Sequence, residues 1–534
     1  MKHSTFLKLS LLVLMGCMPM LALAEWGTQT RVSTVYQKEG EIMQFHTART
    51  SDGYTYMAWA EWNTEYSPAI CMMLCMQLLD PDGNPQWGDE GIVVDSYPTR
   101  SFTSANSLVV DNEGNAIVSW CDSRSQKDKT ITEEDARYDN FEPVLYKVNK
   151  EGELIWGEDG VAYDPTNYSM CPVLYSAGGN LYATIYGIGS GSFISSYFVR
   201  LDPATGEFIG SPKNMGGQFI QSVGTDIINV YSASGQTLAM RYNQNLEPVW
   251  SSPAVVAPYV YEGHSNFPYN LVKDYLGGVI VSFERSTNSS KWMPIVNYIT
   301  ADGESPFGQA VDVITNEANN NTFNTICYNP HTEEILNIWG SNNFHLALQG
   351  QMMDIFGERL WGNDGIDFAN KTSTTDYTYA PISITMTNDN LYWILYVDES
   401  NWMNDTMYLI CINGDGEIVE NAQRVGPYNR GVISPSVYWE DGSMYMIYYN
   451  YVSNTGVYSI QTLSVTDFYE SPEFPDEPVL PEPDDPSNGV ETIENGGSGA
   501  SSYYTINGMK LSGPQKGLNI IKGSDGVSKK VIIK

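Results

Sequence analysis

Positive charge is scarce in this sequence of 534 residues. There are 28 Lys and Arg residues against 63 Asp and Glu residues, and the formal net charge is −35. Loss of residues 1–24, which hold Lys2 and Lys8 and no acid, leaves an even more negative chain. Nucleic acid and anionic lipid surfaces are repelled by such a charge. The composition therefore predicts that nucleic acid is not a partner.

Catalytic signatures are also lacking. The five histidines show no metal-ligand spacing such as H-E-x-x-H, and there is no G-x-S-x-G elbow. Residues 187–191 are rich in glycine but have no P-loop lysine, which predicts an ordinary loop. Asp82-Gly83 are adjacent and so do not match the S-x-D-x-G-x-x-W box of sialidases. The sequence therefore predicts no catalytic, cofactor-binding or metal-ligating residue.

Two turns resemble calcium loops. Asp80-Pro81-Asp82-Gly83 and Asn413-Gly414-Asp415-Gly416 lack the third carboxylate and the bidentate Glu that an EF-type loop needs. As hairpin turns they need no ion. We expect no cofactor, with calcium as the alternative.

Cysteine pairs are missing as well. Once Cys17 is removed with the N-terminus, six cysteines are left, and none forms a C-x-x-C pair. Cys71 and Cys75 would face the same side of one strand, too far apart to bond to each other. The spacing favours buried thiols, and a disulfide between repeats is the alternative.

The first residues have the pattern of a signal peptide. Lys2 and Lys8 precede an apolar run that ends near Leu23, and Ala22-Leu23-Ala24 fits the small-x-small cleavage site. This predicts a signal peptide over residues 1–24 and no membrane span after its removal. A retained anchor helix is one alternative. Lipidation is another, because Leu14-Met15-Gly16-Cys17 resembles a lipobox.

An internal repeat of strand-like segments occupies most of the chain. In each copy a turn is followed six residues later by an aromatic residue at the end of an alternating apolar run, a strand signal. The eight copies are Gly53…Trp59, Gly114…Trp120, Asn180…Tyr186, Thr225…Tyr231, Gly277…Phe283, Glu333…Trp339, Asn390…Tyr396 and Gly442…Tyr448. A period of this length is typical of propellers and solenoids.

A second motif follows the first seven copies. Four residues after a turn glycine comes Trp, often followed by Gly, as in Gly83…Trp87-Gly88. The later positions are Gly152…Trp156, Leu246…Trp250, Gly303…Phe307 and Gly357…Trp361, while Gly206…Gly210 and Gly416…Glu420 have lost the aromatic residue. The eighth copy lacks this motif, but Glu25-Trp26-Gly27 begins the mature chain. An N-terminal strand that completes the last repeat closes a ring without exposed ends.

The sequence therefore predicts an all-β protein, a β-propeller of eight blades over residues 25–467. Seven blades is the alternative. The repeated aromatic residues are expected to pack between blades. The D-x-x-G-x-x-x-W-G turns resemble uncharacterised secreted repeat proteins of Bacteroidetes, and Leu201-Asp202-Pro203-Ala204-Thr205-Gly206 resembles a quinoprotein repeat. The adjacent Cys-Cys pair of quinoprotein dehydrogenases does not occur here.

The end of the chain differs in composition. Residues 468–502 are rich in Pro and acids and then in Gly and Ser, which predicts an extended linker. Residues 503–534 contain an Asn507-Gly508 turn, then Lys516-Gly517-Leu518 and a closing Lys529-Lys530-Val531 segment. This unit resembles the C-terminal sorting domains of Bacteroidetes type IX secretion. The resemblance implies a partner in the sorting machinery and a location outside the cell or on the outer membrane surface. A small β-domain without a sorting role is the alternative.

Three functions are compatible with these features. The leading hypothesis is a surface-displayed or secreted binding propeller for carbohydrate or protein. The alternatives are a carbohydrate-active enzyme that uses carboxylates on one face, and a structural component of the cell surface. Longer insertions at 122–140 and 259–270 are candidate ligand loops, and Tyr259, Tyr261 and Phe267 would stack on sugars there or pack the loop.

Overall fold

The computed structural model describes most of the repeat region and parts of the C-terminal region. The described residues are 33–39, 42–63, 65, 71–99, 106–124, 142–164, 167–188, 194–215, 219–258, 270–287, 291–316, 320–342, 346–371, 379–387, 390–398, 406–426, 431–440, 443–452, 457–465, 491–493, 500–504, 510–511, 517–523 and 528–533. The proposed signal peptide, Cys17 and Trp26-Gly27 lie outside them, as does most of the predicted linker.

Eight antiparallel sheets of four strands make up the repeat region. Blades 1 to 4 are β2 (Ile42–Arg49), β3 (Thr55–Trp62), β4 (Met72–Leu79) and β5 (Ile92–Thr99); β6 (Ser107–Val110), β7 (Ala116–Asp122), β8 (Glu142–Val148) and β9 (Val161–Ala162); β10 (Tyr168–Ala177), β11 (Asn180–Ile188), β12 (Ile194–Leu201) and β13 (Phe208–Lys213); and β14 (Phe219–Val223), β15 (Asp226–Ala233), β16 (Gln236–Tyr242) and β17 (Ala254–Ala257).

Blades 5 to 7 follow the same plan. They are β18 (Asn270–Lys273), β19 (Val279–Ser286), β20 (Trp292–Ile299) and β21 (Val311–Asp312); β22 (Asn320–Asn329), β23 (Glu334–Asn342), β24 (Leu346–Asp354) and β25 (Ile366–Lys371); and β26 (Tyr379–Met386), β27 (Leu391–Asp398), β28 (Thr406–Asn413) and β29 (Ile418–Val425). The first strand of each blade contacts the first strand of the next, so these strands surround the centre of a ring.

Blade 8 joins the two ends of the repeat region. Its strands are β30 (Gly431–Glu440), β31 (Ser443–Val452), β32 (Val457–Val465) and β1 (Ser33–Glu39). The closing strand β1 is antiparallel to β32, and β30 contacts β2. The Tyr36 hydroxyl donates to Glu61, and Arg49 forms an ion pair with Glu440, so side chains also link blades 8 and 1. The predicted eight-bladed propeller closed by an N-terminal strand is confirmed, and the seven-bladed alternative is wrong.

The hydrophobic core is divided among the interfaces between blades. Eight clusters of buried side chains occur, and each combines residues of two neighbouring blades. The cluster that contains Val35, Ile42, Trp59 and Ile447 joins blades 8 and 1. Inner strands such as β7 and β8 are buried along their whole length, because neighbouring blades cover both of their faces.

The aromatic residue of the first motif packs inside these interfaces, as predicted. Trp59, Trp120, Phe283, Trp339 and Tyr448 have no exposed surface, and Tyr396 is also buried. Tyr186 and Tyr231 are half-buried. Burial of such a side chain contributes about 1.5–3 kcal/mol.

Where it keeps its Trp, the second motif connects a blade to the next blade. The indole Nε1 of Trp250 in blade 4 donates to the carbonyl of Ala301 in blade 5 at 2.8 Å. Its ring lies on Gly303, where an added Cβ would come within 3.0 Å of the ring. The same donation occurs from Trp87 to Lys150, from Trp156 to Ala204 and from Trp361 to Gly414. The turn glycine thus makes room for the aromatic ring of the preceding blade.

The copies in which the motif is broken obey the same rule. Blade 3 has Gly210 in place of the aromatic residue, and blade 4 has Leu246 in place of the turn glycine. Leu246 keeps the left-handed backbone, with φ of 59°, and is buried. Blade 7 has Glu420 in place of the aromatic residue, and blade 8, whose fourth strand is β1, has no corresponding turn. At Leu246 a side chain therefore occupies the turn position, because blade 3 supplies no ring to cover it.

The calcium-like turns are closed by their own backbone. Asp80 Oδ1 accepts the amide of Asn84 at 2.8 Å, and Asn413 Oδ1 accepts the amides of Asp415 and Glu417 at 3.1 and 2.8 Å. These are side-chain turns of the Asx type. The side-chain oxygen of the first residue in each turn, Asp80 or Asn413, thus stabilises the turn itself. This agrees with the interpretation of these segments as hairpin turns.

The six cysteines are present as thiols and not as disulfides. Five are buried, and Cys327 is intermediate in exposure. Although Cys327 is partly accessible, removal of water from around its thiol raises the pKa of this group to about 12. The prediction of buried thiols is confirmed for the other five, and the disulfide alternative is wrong for the described residues.

The C-terminal residues form a separate five-stranded sheet. Its strands are β33 (Glu491–Ile493), β34 (Ala500–Tyr504), β35 (Lys510–Leu511), β36 (Gly517–Gly523) and β37 (Ser528–Ile533), in the order β33-β37-β36-β34-β35. β34 pairs with β35 on either side of the predicted Asn507-Gly508 turn, which lies outside the described residues. The sheet begins at Glu491, before residue 503, where the sequence places the start of the module.

Candidate functional site

A pocket lies at the centre of the ring. It is formed by the first strands of four successive blades, β2, β6, β10 and β14. The lining residues lie toward the C-terminal ends of these strands. Its volume is about 470 Å³. Pockets for small ligands range from about 300 to 1,000 Å³. The closed ring therefore provides a cavity of ligand size from residues far apart in the sequence.

The walls of the pocket combine apolar and neutral polar groups. Leu108, Leu174 and Ile220 are among its aliphatic residues, and Tyr175 and Gln221 are among its neutral polar residues. The Gln221 amide nitrogen donates to the carbonyl of Ser222 at 3.2 Å. Burial raises the pKa of Tyr175 to about 12, so its phenol stays protonated at neutral pH. Such walls suit a ligand with both hydroxyl groups and apolar faces.

The positively charged residue that lines the pocket, Arg49, is paired with an acid. Arg49 forms an ion pair with Glu440 of blade 8, and its guanidinium lies 5.5 Å from the ring centroids of both Tyr438 and Tyr445. These contacts hold Arg49 at the joint between blades 8 and 1. The pocket therefore presents a fixed, paired charge to a ligand and not an open anion site.

Several first strands contain a β-bulge in their N-terminal half. Register shifts occur in β2, β10, β22, β26 and β30. Gln44 and Met170 lie in two of these bulges with φ of 53° and 69°, values that are uncommon for residues other than glycine. Bulges redirect side chains and are often found next to functional sites.

A buried pair of carboxyl groups lies between blades 1 and 2. Asp95 of β5 and Asp122 of β7 both have side chains without exposed surface. Desolvation and the negative charge of Asp122 raise the pKa of Asp95 well above its usual range. Arg124 binds Asp122 at 2.7 Å and lies 3.8 Å from Asp95.

Further donors complete this pair. Tyr146 donates its hydroxyl to Asp95 at 2.7 Å, and the backbone amide of Tyr97 donates to the other oxygen at 2.8 Å. Both carboxyl groups are thus enclosed and supplied with donors. This arrangement is typical of an ion network that holds two blades together, and it leaves no carboxylate oxygen facing a substrate.

A second buried acid lacks such partners. Glu284, the third residue from the end of β19, is 2% exposed, and burial raises its pKa to about 7. One oxygen accepts the backbone amide of Asn324 in β22 at 3.0 Å. The other oxygen, Oε2, is buried without a hydrogen-bond partner. Among the described residues, Glu284 is therefore the buried carboxyl group that has an oxygen without a hydrogen-bond partner.

The sequence motifs single out none of Asp95, Asp122 and Glu284. An alignment of the repeats does distinguish Glu284. It is an acid at the position directly after the aromatic residue, where other copies have Ala60, Cys121 and Gly187. The approach of Asp95 to Asp122 has no such signal. Of the two candidate ligand loops, the structure describes residues 122–124 and 270, and Tyr259, Tyr261 and Phe267 lie outside it.

Histidine, cysteine and carboxylate side chains do not cluster around a common point in the part of the chain that the structure describes. No group of three or more His, Cys, Asp or Glu residues is suitable for a metal ion there. The two described histidines are far apart in the fold, His46 in blade 1 and His331 in blade 6. Among the described residues, no helix has the length and apolar character needed to cross a membrane.

Comparison with known proteins gives remote structural similarity. No protein-family model matches the chain, and no curated protein matches its sequence. A protein of unknown function from Dyadobacter fermentans has 10% identity and a TM-score of 0.36, over 84% of this chain and 100% of that chain. The polysaccharide lyase Uly1 has 12% identity and a TM-score of 0.40, over 83% and 97%. The Trypanosoma rangeli sialidase has 9% identity and a TM-score of 0.34, over 79% and 53%. These values are too low to transfer an activity to this chain.

Proposed function

We propose that this chain is an exported binding propeller that holds a neutral, hydroxyl-rich ligand, such as a carbohydrate residue, in its central pocket. The observation that carries the proposal is the cavity of about 470 Å³ at the centre of the closed ring, with aliphatic, phenol and amide groups in its walls. Carbohydrates combine apolar faces with hydroxyl groups and therefore match such walls. The charge of −35 disfavours anionic polymers as ligands.

Binding is favoured over catalysis by the state of the carboxyl groups. Hydrolysis of a glycoside requires two carboxyl groups that reach the same bond from a cleft. The pair formed by Asp95 and Asp122 is enclosed and bound by Arg124. That pair is therefore suited to structural support, and the pocket walls are suited to recognition.

The experiment uses the chain without residues 1–24 on a glycan array, followed by titration calorimetry with each glycan that binds. Gln221→Ala and Tyr175→Leu should weaken binding about tenfold or more, because each removes a polar group of the pocket. Gln423→Ala is the matched control, since it makes the same change on the exposed fourth strand of blade 7. Equal binding by Gln221→Ala, Tyr175→Leu and the control would overturn the pocket assignment.

We also propose that residues 1–24 direct export and that residues 503–534 direct sorting to the cell surface. The basis is the signal-peptide pattern together with the Lys516-Gly517 and Lys529-Lys530 segments. Deletion of residues 503–534 should leave the protein in the periplasm of the bacterium that encodes it. Surface display of the deleted chain, measured by protease accessibility on intact cells, would contradict the sorting role.

A further inference from the structure

The joint between blades 5 and 6 contains a set of buried oxygen atoms without partners. Glu284 Oε2, Asn324 Oδ1 and Thr322 Oγ1 are all buried and accept or donate no hydrogen bond among the described residues. Their residues are 2%, 4% and 3% exposed. Glu284 and Asn324 are in direct contact, because Glu284 Oε1 accepts the backbone amide of Asn324 at 3.0 Å.

The orientation of the Asn324 amide follows from its neighbours. The Ser282 hydroxyl donates to the carbonyl of Ile295 at 2.9 Å, so its oxygen is left to accept a hydrogen bond. The side-chain nitrogen of Asn324 supplies that hydrogen bond. Oδ1 therefore points away from Ser282, and exchanging the amide oxygen and nitrogen would place two acceptors against each other.

The backbone around Asn324 is held in place. Its carbonyl accepts the side-chain amide of Asn270 from the first strand of blade 5. A register shift in β22 between Thr322 and Thr325 places Asn324 in a bulge. The oxygen atoms are thus presented by a constrained segment and not by a side chain free to turn toward solvent.

Among the described residues, these three oxygen atoms have neither a hydrogen-bond donor nor a positive charge to pair with. The neighbouring cation, Arg285, is engaged by Asp312 through bonds of 2.6 and 2.9 Å. A buried carboxylate without a counter-charge is strongly unfavourable, and each buried acceptor without a donor costs about 1–3 kcal/mol. A group that brings positive charge and attracts several oxygen atoms at once would remove both costs.

We propose that Glu284 Oε2 and Asn324 Oδ1 form a binding site for a hard metal cation, Ca²⁺ or Na⁺, with Thr322 Oγ1, two residues before Asn324 on the same strand, as a further candidate ligand. Carboxylate, amide and hydroxyl oxygens are the ligands that such ions prefer, and water completes the coordination. Zinc and other softer metals favour nitrogen and sulfur ligands. The site is separate from the central pocket and does not depend on the proposed carbohydrate function.

The cation would act on the fold as a bridge. Glu284 belongs to the second strand of blade 5, and Asn324 belongs to the first strand of blade 6. An ion held by both side chains joins two blades at the inner side of the ring. A ligand that binds only the folded state raises its stability.

The test uses the chain without residues 1–24, freed of metal with a chelator. Thermal unfolding and titration calorimetry are measured with CaCl₂ alone and, in a second arm, with NaCl against choline chloride at equal ionic strength. The wild-type protein should gain melting temperature in one of the two arms. No gain in either arm would overturn the proposal.

Variants assign the ion to these residues. Glu284→Gln keeps the shape and removes the charge, and it should weaken cation binding about tenfold or more because ligand charge sets affinity. Asn324→Asp adds a charge and should strengthen Ca²⁺ binding, which provides a gain of function if Glu284→Gln folds poorly. Glu207→Gln is the matched control, because it makes the same change at an exposed acid and should leave cation binding unchanged. Asp82→Asn is a second control, which tests whether the ion binds instead at a calcium-like turn. Loss of binding in Asp82→Asn with normal binding in Glu284→Gln would overturn the assignment.

Discussion

Trp250 and Gly303 form a joint between two successive blades. The indole nitrogen donates to the carbonyl of Ala301 at 2.8 Å, and the ring covers Gly303, whose φ is 81°. The ring comes from one blade and the space for it from the next. The interaction therefore has a direction around the propeller, and its two halves must occur together in the sequence.

The first prediction concerns this joint. Gly303→Ala should destabilise the protein by about 2–4 kcal/mol, because a Cβ is strained at positive φ and would also press against the indole. Gly308→Ala is the control, since Gly308 has φ of 78° and no atom within 4 Å of an added Cβ. It should cost only about 1–2 kcal/mol from the backbone. Equal urea denaturation midpoints for the two variants would show that the ring does not require glycine.

The second prediction concerns the network between blades 1 and 2. Arg124→Leu should lower the free energy of unfolding by about 3–5 kcal/mol, because it leaves Asp95 and Asp122 buried without their cation. Arg285→Leu is the comparison, since the Arg285 and Asp312 side chains are 21% and 35% exposed and water replaces the lost partner. A smaller loss is expected there. Losses of the same size, measured by chemical denaturation, would contradict a special role for the enclosed pair.

The third prediction concerns the pH dependence of stability. The pKa of Glu284 rises from 4.5 in the unfolded chain to about 7 in the folded protein. The folded state therefore binds the proton more strongly, and the free energy of unfolding falls as pH rises from 4.5 to 7, by roughly 3 kcal/mol in total. Glu284→Gln does not titrate. In the absence of added cations, the variant should gain stability relative to wild type across this range and keep a constant advantage above it.

The measurement is chemical denaturation of the wild-type protein and of Glu284→Gln at several pH values. Subtracting one free energy of unfolding from the other cancels the contribution of the other titrating groups, which both proteins share. A difference between the two proteins that does not change with pH would show that Glu284 titrates normally. Added CaCl₂ or NaCl should reduce the difference above pH 7 if the proposed cation site exists, because the cation then replaces the proton.

The fourth prediction concerns the closing strand. A chain that lacks residues 1–41 loses β1, which leaves the edge of β32 exposed and should produce oligomers by pairing of strand edges. Tyr36→Phe keeps the strand and removes only the hydrogen bond to Glu61, so it should elute from a sizing column like the wild-type protein. Its free energy of unfolding should fall by about 1–3 kcal/mol. Elution of the shortened chain at the wild-type position would contradict the closure role of β1.

The repeat could be predicted from the sequence because each blade repeats the same local signals. A turn, an alternating strand and a terminal aromatic residue such as Trp120 or Phe283 lie within a few positions of one another. The number of blades and the N-terminal closure followed from counting copies and from the strand pattern before residue 40. These features depend on local spacing, which the sequence displays directly.

The candidate sites could not be predicted in this way. Asp95 and Asp122 meet because β5 and β7 belong to different blades that pack face to face, and no sequence spacing indicates that contact. The central pocket combines β2, β6, β10 and β14, which are separated by whole repeats. Glu284 does stand out among the copies, but its missing hydrogen-bond partners are a property of the three-dimensional packing.

The position of β32 has a mechanical consequence. This strand ends at Val465, just before the C-terminal segment of the chain, and it is hydrogen-bonded along both sides, to β1 and to β31. A pull on the C-terminal segment would load both ladders in shear, so many hydrogen bonds would have to break together. The closing strand thus makes the ring resistant to tension that is applied through the C-terminal segment.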